Sequence, residues 1–182
     1  MAIKTFTTGE VLTASDTNTY LANSGLVFVK SQTVGTTVSS VAVTNAFSAE
    51  YVSYKIIWNG GFGSTNQDLR LQLGASTTGY YGSLIYGAYA AAGAQAAGDN
   101  NQAYWNWAGT FASTGGHLEV TLHNPFLALE TRIAGDAYVA VGQAGRTTGY
   151  HSPQVSYTGF TILPAGGTIT GGTVTVYGYR KA

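Results

Sequence analysis

A chain of 182 residues is long enough to bury a full core and fits one domain better than two. Eight Lys and Arg balance eight Asp and Glu, and charged residues make up only 9% of the chain, against about 25% in an ordinary soluble domain; no net field is left to draw in nucleic acid or an anionic membrane. The absence of cysteine excludes a disulfide scaffold, thiolate metal sites and thiol nucleophiles, so stability must come from packing and hydrogen bonds.

The opening MAIKTFTTGEV lacks the apolar core of a secretory signal, and no later segment approaches about 18 uninterrupted apolar residues. Synthesis and folding in the cytoplasm, without membrane insertion, are the expectation. The stretch GEVLTASDTN then carries helix-start chemistry: Thr13 can cap, and Asp16 three residues on can accept amide hydrogen bonds at the positive helix end. Asn23 and Gly25 supply stop signals. The apolar residues between them, Ala14, Tyr20, Leu21 and Ala22, make only a narrow stripe, so this helix must lean on a neighbour. Residues 1–25 are expected to form an arm with a short helix, ahead of a β domain over residues 26–182.

From Leu26 the hydrophobic period changes to two. LVFVKSQT, VSSVAVT and YVSYKIIW are followed by LRLQLG (69–74), SLIYGAY (83–89), AYWNWAGTF (103–111), HLEVTLHN (117–124), AYVAVG (137–142), YTGFTIL (157–163) and TVTVYGYR (173–180). Each is a short run of β-branched or aromatic residues broken by Gly, Thr, Ser or Asn. About ten such strands predict an all-β sandwich or barrel and argue against an α/β fold. Alternation is clearest in HLEVTLH, where Leu118, Val120 and Leu122 point one way and His117, Glu119, Thr121 and His123 the other.

The Gly-rich stretches NGGFGS, ASTGGH and PAGGTITGG read as connections that need φ > 0. Two further joints, Ser76 to Tyr80 and Arg146 to Tyr150, share TTGY, which would suit two equivalent hairpins, but four residues are too few to establish a repeat. GAYAAAGAQAAGDNN (87–101) reads as a long exposed or subunit-contacting loop.

No constellation of residues identifies a reaction. His117, Glu119 and His123 share a strand face, but the two histidines would lie roughly 20 Å apart at about 3.3 Å per residue, too far to hold one metal ion. No Gly-x-Ser-x-Gly elbow, phosphate loop or complete dinucleotide fingerprint occurs in the right context, and the acidic residues select no carboxylate pair. The expectation is a non-enzyme without cofactor or metal.

The aromatic residues are more suggestive. Tyr104, Trp105 and Trp107 lie in YWNW, with Tyr80, Tyr81, Tyr86 and Tyr89 upstream and Tyr150 in the second TTGY. Strand alternation puts Trp105 and Trp107 on one face, as a platform for core packing, a subunit interface or a sugar ring. Tyr80, Tyr81, Tyr104, Trp105, Trp107 and Tyr150 are the candidate interface or glycan-contact residues.

At GEVLTASDTNTYL and the following SGLVFVKSQTVGTTVSSVAVTNAFSAEYVSYKIIW, the chain resembles small virion-associated structural proteins of tailed bacteriophages, of minor tail, fibre or decoration type. The shared features are a G-x-x-LTA-x-x-x-N leader and an F-S-x-x-Y-x-x-Y-x-I strand, here Phe47 to Ile56; the VTVYGYRK ending is also in keeping. The resemblance covers roughly the first 80 residues and brings no catalytic residues with it. It implies a single antiparallel β-sandwich, jelly-roll-like, in a homotrimer or other symmetric homo-oligomer. Its attachment arm, including Val11, Leu12, Thr13, Asp16, Tyr20 and Leu21, would dock on other virion proteins of tail or capsid. Independently, a near-neutral surface poor in charge suits a protein partly covered by other subunits. The leading expectation is a minor tail or fibre-type component of the virion, assembled in the host cytoplasm, whose distal loops touch host-surface glycans. The alternatives are a capsid decoration or head-fibre protein and, in another class, a polysaccharide-degrading enzyme.

Overall fold

The computed structural model describes residues 5–17, 25–137 and 142–180. Its strands are Leu26–Thr33 (β1), Val41–Val43 (β2), Tyr51–Gly63 (β3), Gln67–Leu73 (β4), Tyr80–Ala88 (β5), Ala94–Gln102 (β6), Trp105–Ala112 (β7), Gly115–His123 (β8), Thr131–Ala137 (β9), Gln143–His151 (β10), Phe160–Pro164 (β11) and Ile169–Arg180 (β12). All twelve belong to one hydrogen-bonded sheet, and every pairing between them is antiparallel.

The sheet branches at β8. One edge of β8 pairs with β3, which leads to β12 and β1. Along the other edge its first residues pair with β7, through Gly109↔Leu118, and the remainder with β9, from Glu119↔Asp136. One arm therefore runs β7-β4-β11-β2 and the other β9-β10-β5-β6.

Both sides of the branch bury side chains in a single cluster. Leu118, Val120 and Leu122 of β8 meet Leu69, Leu71 and Leu73 of β4, with Ile56 and Trp58 of β3 and Val174 and Val176 of β12 in the same core. Burying a side chain of this size stabilises by about 1.5–3 kcal/mol, so this cluster is the main source of cohesion. The alternation expected in HLEVTLH is the one found.

Several glycines expected in turns lie inside strands. Gly61 and Gly63 extend β3 beyond the run YVSYKIIW, and Gly115 and Gly116 begin β8. The reason is steric: a Cβ on Gly116 would collide with the Trp58 ring and crowd Phe111, and one on Gly63 would collide with Phe111. A strand glycine here leaves the volume that a large aromatic fills. Trp58 and Phe111 are accordingly almost fully buried.

The F-S-x-x-Y-x-x-Y-x-I stretch also serves the core. Tyr54 Oη accepts from Ser48 N at 2.7 Å and donates to Ser48 O at 2.9 Å, while Phe47 packs on Tyr54 and Phe160. Burial raises the Tyr54 phenol above its ordinary value, so the hydroxyl stays a neutral donor and acceptor.

Two more expectations are corrected. The Ala/Gly stretch is not a loop over its length, because Ala94–Gln102 forms β6 on β5, although its residues are largely exposed as foreseen. Arg146 to Tyr150 is not a joint but the interior of β10. The two TTGY segments are not equivalent hairpins: one leads into β5 and the other lies within β10, its antiparallel neighbour. Of AYVAVG only Ala137, the last residue of β9, and Gly142 are described.

At the amino end Thr13 and Asp16 form the expected capping box around a helical turn, Ala14–Asp16. Thr13 Oγ1 accepts from Asp16 N at 3.1 Å, and Asp16 Oδ2 accepts from Thr13 N at 3.2 Å and from the Thr13 hydroxyl at 2.6 Å. None of the three helical residues is buried. Tyr20 and Leu21, with Ala22 and Asn23, lie outside the described residues.

Candidate functional site

Two consecutive cross-strand pairs between β5 and β10 define the most distinctive chemistry of the described residues. Tyr80 faces His151 and Tyr81 faces Tyr150. Successive strand residues point to opposite faces, so one pair enters the core and the other meets solvent.

On the inner side the Tyr80 ring lies on the His151 imidazole, with centroids 4.0 Å apart, and its edge meets Trp105 at 5.1 Å. Tyr80 Oη accepts from Leu73 N at 2.7 Å, and burial pushes its phenol up to about 12. His151 Nε2 lies 2.8 Å from Tyr157 Oη. Burial holds the His151 imidazole below its ordinary value, against the Gly79 backbone, which favours the charged form. Its other nitrogen, Nδ1, and Oγ1 of its β9 partner Thr131 are buried without a hydrogen-bond partner. This inner pair is a structural group.

On the outer side Tyr81 and Tyr150 stack with centroids 4.8 Å apart and planes 7° from parallel. Tyr150 is 39% exposed. Its partner across β9 is Arg132, whose Nη2 lies 3.8 Å from Glu130 Oε2. A depression of about 360 Å³ lies among Glu130, Arg132, Gly149 and Tyr150. A second, of about 250 Å³, lies along Tyr81–Ser83 and Thr148–Tyr150 beside Asp99, whose pairing with Gly82 puts its carboxylate on the opposite face of the sheet from the Tyr81 and Tyr150 rings. Beneath the floor, Trp105 Nε1 donates to Tyr150 O at 3.3 Å.

On that inner face Asp99 is held in place by β7. Asn106 Nδ2 donates to Asp99 Oδ2 at 2.7 Å, and Arg70 Nε donates to Asn106 Oδ1 at 3.0 Å. The Arg70 guanidinium in turn sits over the Tyr104 ring, 4.4 Å from its centroid. Tyr104 is thereby engaged in a support for the carboxylate and is only partly exposed.

The structure separates the six candidate aromatics. Tyr80 and Trp105 belong to the core, whereas Tyr81 and Tyr150 stand together on the surface. The expected shared face of Trp105 and Trp107 is not formed. The pairing of β4 with β7 shifts register between Leu69↔Gly109 and Leu71↔Trp105, and Trp107 has φ of +50° within that irregularity. Extra residues in one strand break the two-residue alternation, so Trp105 is buried and Trp107 only partly so.

Sequence reasoning missed Asp99, Glu130 and Arg132. No spacing could have found them, because Arg132 meets Tyr150 only through strand register. Of the polar strand face considered for metal, Glu119 pairs with Lys55 at 2.5 Å and His123 Nδ1 lies 2.9 Å from Ser53 Oγ. Among the described residues no group of three or more His, Cys, Asp or Glu is arranged to hold a metal ion. In the arm, Val11 and Leu12 are 80% and 50% exposed.

No protein-family model, no curated protein and no solved structure matches the chain.

Proposed function

We propose that the chain is a structural subunit of a tailed-bacteriophage virion, of minor tail or fibre type, attached through its N-terminal arm and presenting its outer aromatic face to host-surface glycans. The observation that carries this reading is the arm itself. A capped helical turn stands outside the β domain with none of its residues buried, beside the exposed Val11 and Leu12. An apolar segment that its own domain does not cover suits docking on another protein.

The β domain then acts as a sandwich whose two arms close over the shared core, assembled as a trimer or other symmetric oligomer in the host cytoplasm. The few charges and the balanced net charge favour such an assembly. The role is structural and assigns no reaction to the chain.

Locating the chain in intact particles by electron cryo-microscopy tests the reading. Density on the tail or its fibres is expected, with residues 5–17 against a neighbouring protein. Density confined to the capsid lattice would replace it with the decoration or head-fibre role, and absence from the particle would remove both.

A further inference from the structure

Among the described residues three strands are paired along one side only: β1 with β12, β2 with β11 and β6 with β5. A free edge carries unpaired N–H and C=O groups and templates further pairing unless short length, a bulge, Lys or Pro blunts it. Two of these edges are blunted. β2 has three residues, and β1 has a register shift at Phe28/Lys30, where the Lys30 ammonium donates to Thr44 O. The third is not. β6 runs for nine residues, AQAAGDNNQ, without Lys, Arg or Pro, mostly exposed, and its one register shift falls beyond Asp99.

We propose that β6 pairs antiparallel with β6 of a second copy, about a twofold axis at Ala97, so that the sheet continues across two subunits. The inference goes beyond the virion role and stands on separate observations.

The strand is complementary to itself at this register. Centring on Ala97 sets Ala96 opposite Gly98 and Gln95 opposite Asp99, each pair formed twice. Partners an even number of residues apart point to the same face, so inner residues meet inner residues. Gln95 pairs with Tyr86 and Asp99 with Gly82, which puts both on the inner face. Tyr86 Oη donates to Gln95 Oε1 at 2.8 Å, so the Nε2 end of that amide is the donor for the seam. Asn106 Nδ2 donates to Asp99 Oδ2, so Oδ1 is the acceptor. An amide donor thus meets a carboxylate at both ends, and no like charges stand directly opposite.

The seam is also preorganised. Asn106 and Arg70 hold Asp99, and Tyr86 holds Gln95, so little side-chain freedom is lost on pairing. On the outer face Ala96 and Gly98 are too small to obstruct two approaching backbones.

Other occupants fit less well. β1 of a second copy would bring its register shift and Lys30 to the seam, and such a contact repeats head to tail instead of closing in a pair. A foreign strand would need a donor and an acceptor four residues apart in the reverse order, which a second β6 already has.

The test is sedimentation velocity of the full-length protein over a concentration series, with cysteine cross-linking to read the register. A dimer is expected. Gln95→Asp, which opposes two carboxylates at each end, should raise its dissociation constant about tenfold. Gln95→Lys should retain the dimer and make it sensitive to salt. The chain has no cysteine of its own, so Ala97→Cys should cross-link two copies under copper-phenanthroline oxidation. Ala94→Cys, whose two copies would lie about 20 Å apart at about 3.3 Å per residue, should not. The cross-link keeps the test open where a Gln95 variant fails to fold. A monomer throughout overturns the proposal, as does a trimer or other oligomer in which Ala97→Cys fails to cross-link, cross-linking at Ala94→Cys in place of Ala97→Cys, or association that a folded Gln95→Asp leaves unchanged. A dimer with this seam that imaging does not find in the particle sinks the virion role alone, and a monomer found on the tail sinks the seam alone.

Discussion

The Tyr80 ring lies on the His151 imidazole, 4.0 Å between centroids, and one residue along each strand Tyr81 lies on Tyr150, 4.8 Å between centroids. The first pair faces the core and the second the solvent, so two neighbouring contacts of similar geometry do different work. The inner stack places a titratable ring in the interior, and the outer one places aromatic surface where a ligand can reach it.

The inner pair makes stability depend on pH. The folded state holds His151 below its ordinary value, whereas the unfolded chain binds a proton near the usual value of about 6.5. Stability is then greatest above that pH, falls as pH is lowered through it, and levels off once the folded imidazole also protonates. Asp68, held above its usual value by burial against the pull of Arg70, acts in the opposite sense and in the more acidic carboxylate range. The urea midpoint should therefore drop between about pH 7.5 and 5.5, and His151→Phe should flatten that drop. An equal drop in the variant would remove His151 as its source.

Trp105 and Trp107, two residues apart, should respond very differently to truncation. Trp105→Ala empties a fully packed site and is expected to cost about 3–5 kcal/mol. Trp107→Ala, at a partly exposed position with positive φ, should cost roughly 1 kcal/mol, near the average for point mutations. Equal losses by chemical denaturation would restore the two rings to a common environment.

Gly116→Ala tests the packing of aromatics over strand glycines. The added methyl has no space beside Trp58 and Phe111, and overpacking of this kind typically costs about 1–3 kcal/mol. Gly87→Ala, whose Cβ meets nothing within 4 Å, is the matched control in another strand. Similar denaturation midpoints for the two variants would mean that the core yields at Trp58.

Removal of residues 1–25 should leave the β domain folded. The helical turn buries none of its residues, and β1 begins at Leu26. Far-ultraviolet circular dichroism should keep its β signature and the melt should stay cooperative, while incorporation into particles is lost. A truncated protein that fails to fold would make the leader part of the core.

The sequence by itself determined the β class, most strand positions and the capped turn, because these depend on local chemistry. Two-residue alternation puts Leu118, Val120 and Leu122 on one face wherever the strand lies, and Thr13 with Asp16 closes a capping box within three residues. Strands β6, β9 and β10 escaped notice, since their Ala, Gly, Asp and Asn residues have weak strand preference and are held extended by their neighbours. Only the tertiary structure decided which glycines turn the chain and which make room for Trp58 and Phe111. Only it separated Tyr80 from Tyr81, because burial depends on which face of the paired sheet meets the core. The outer surface belongs to the same category: Arg132 and Tyr150 come from two strands, and hydrogen-bond register, which no single segment encodes, brings them together.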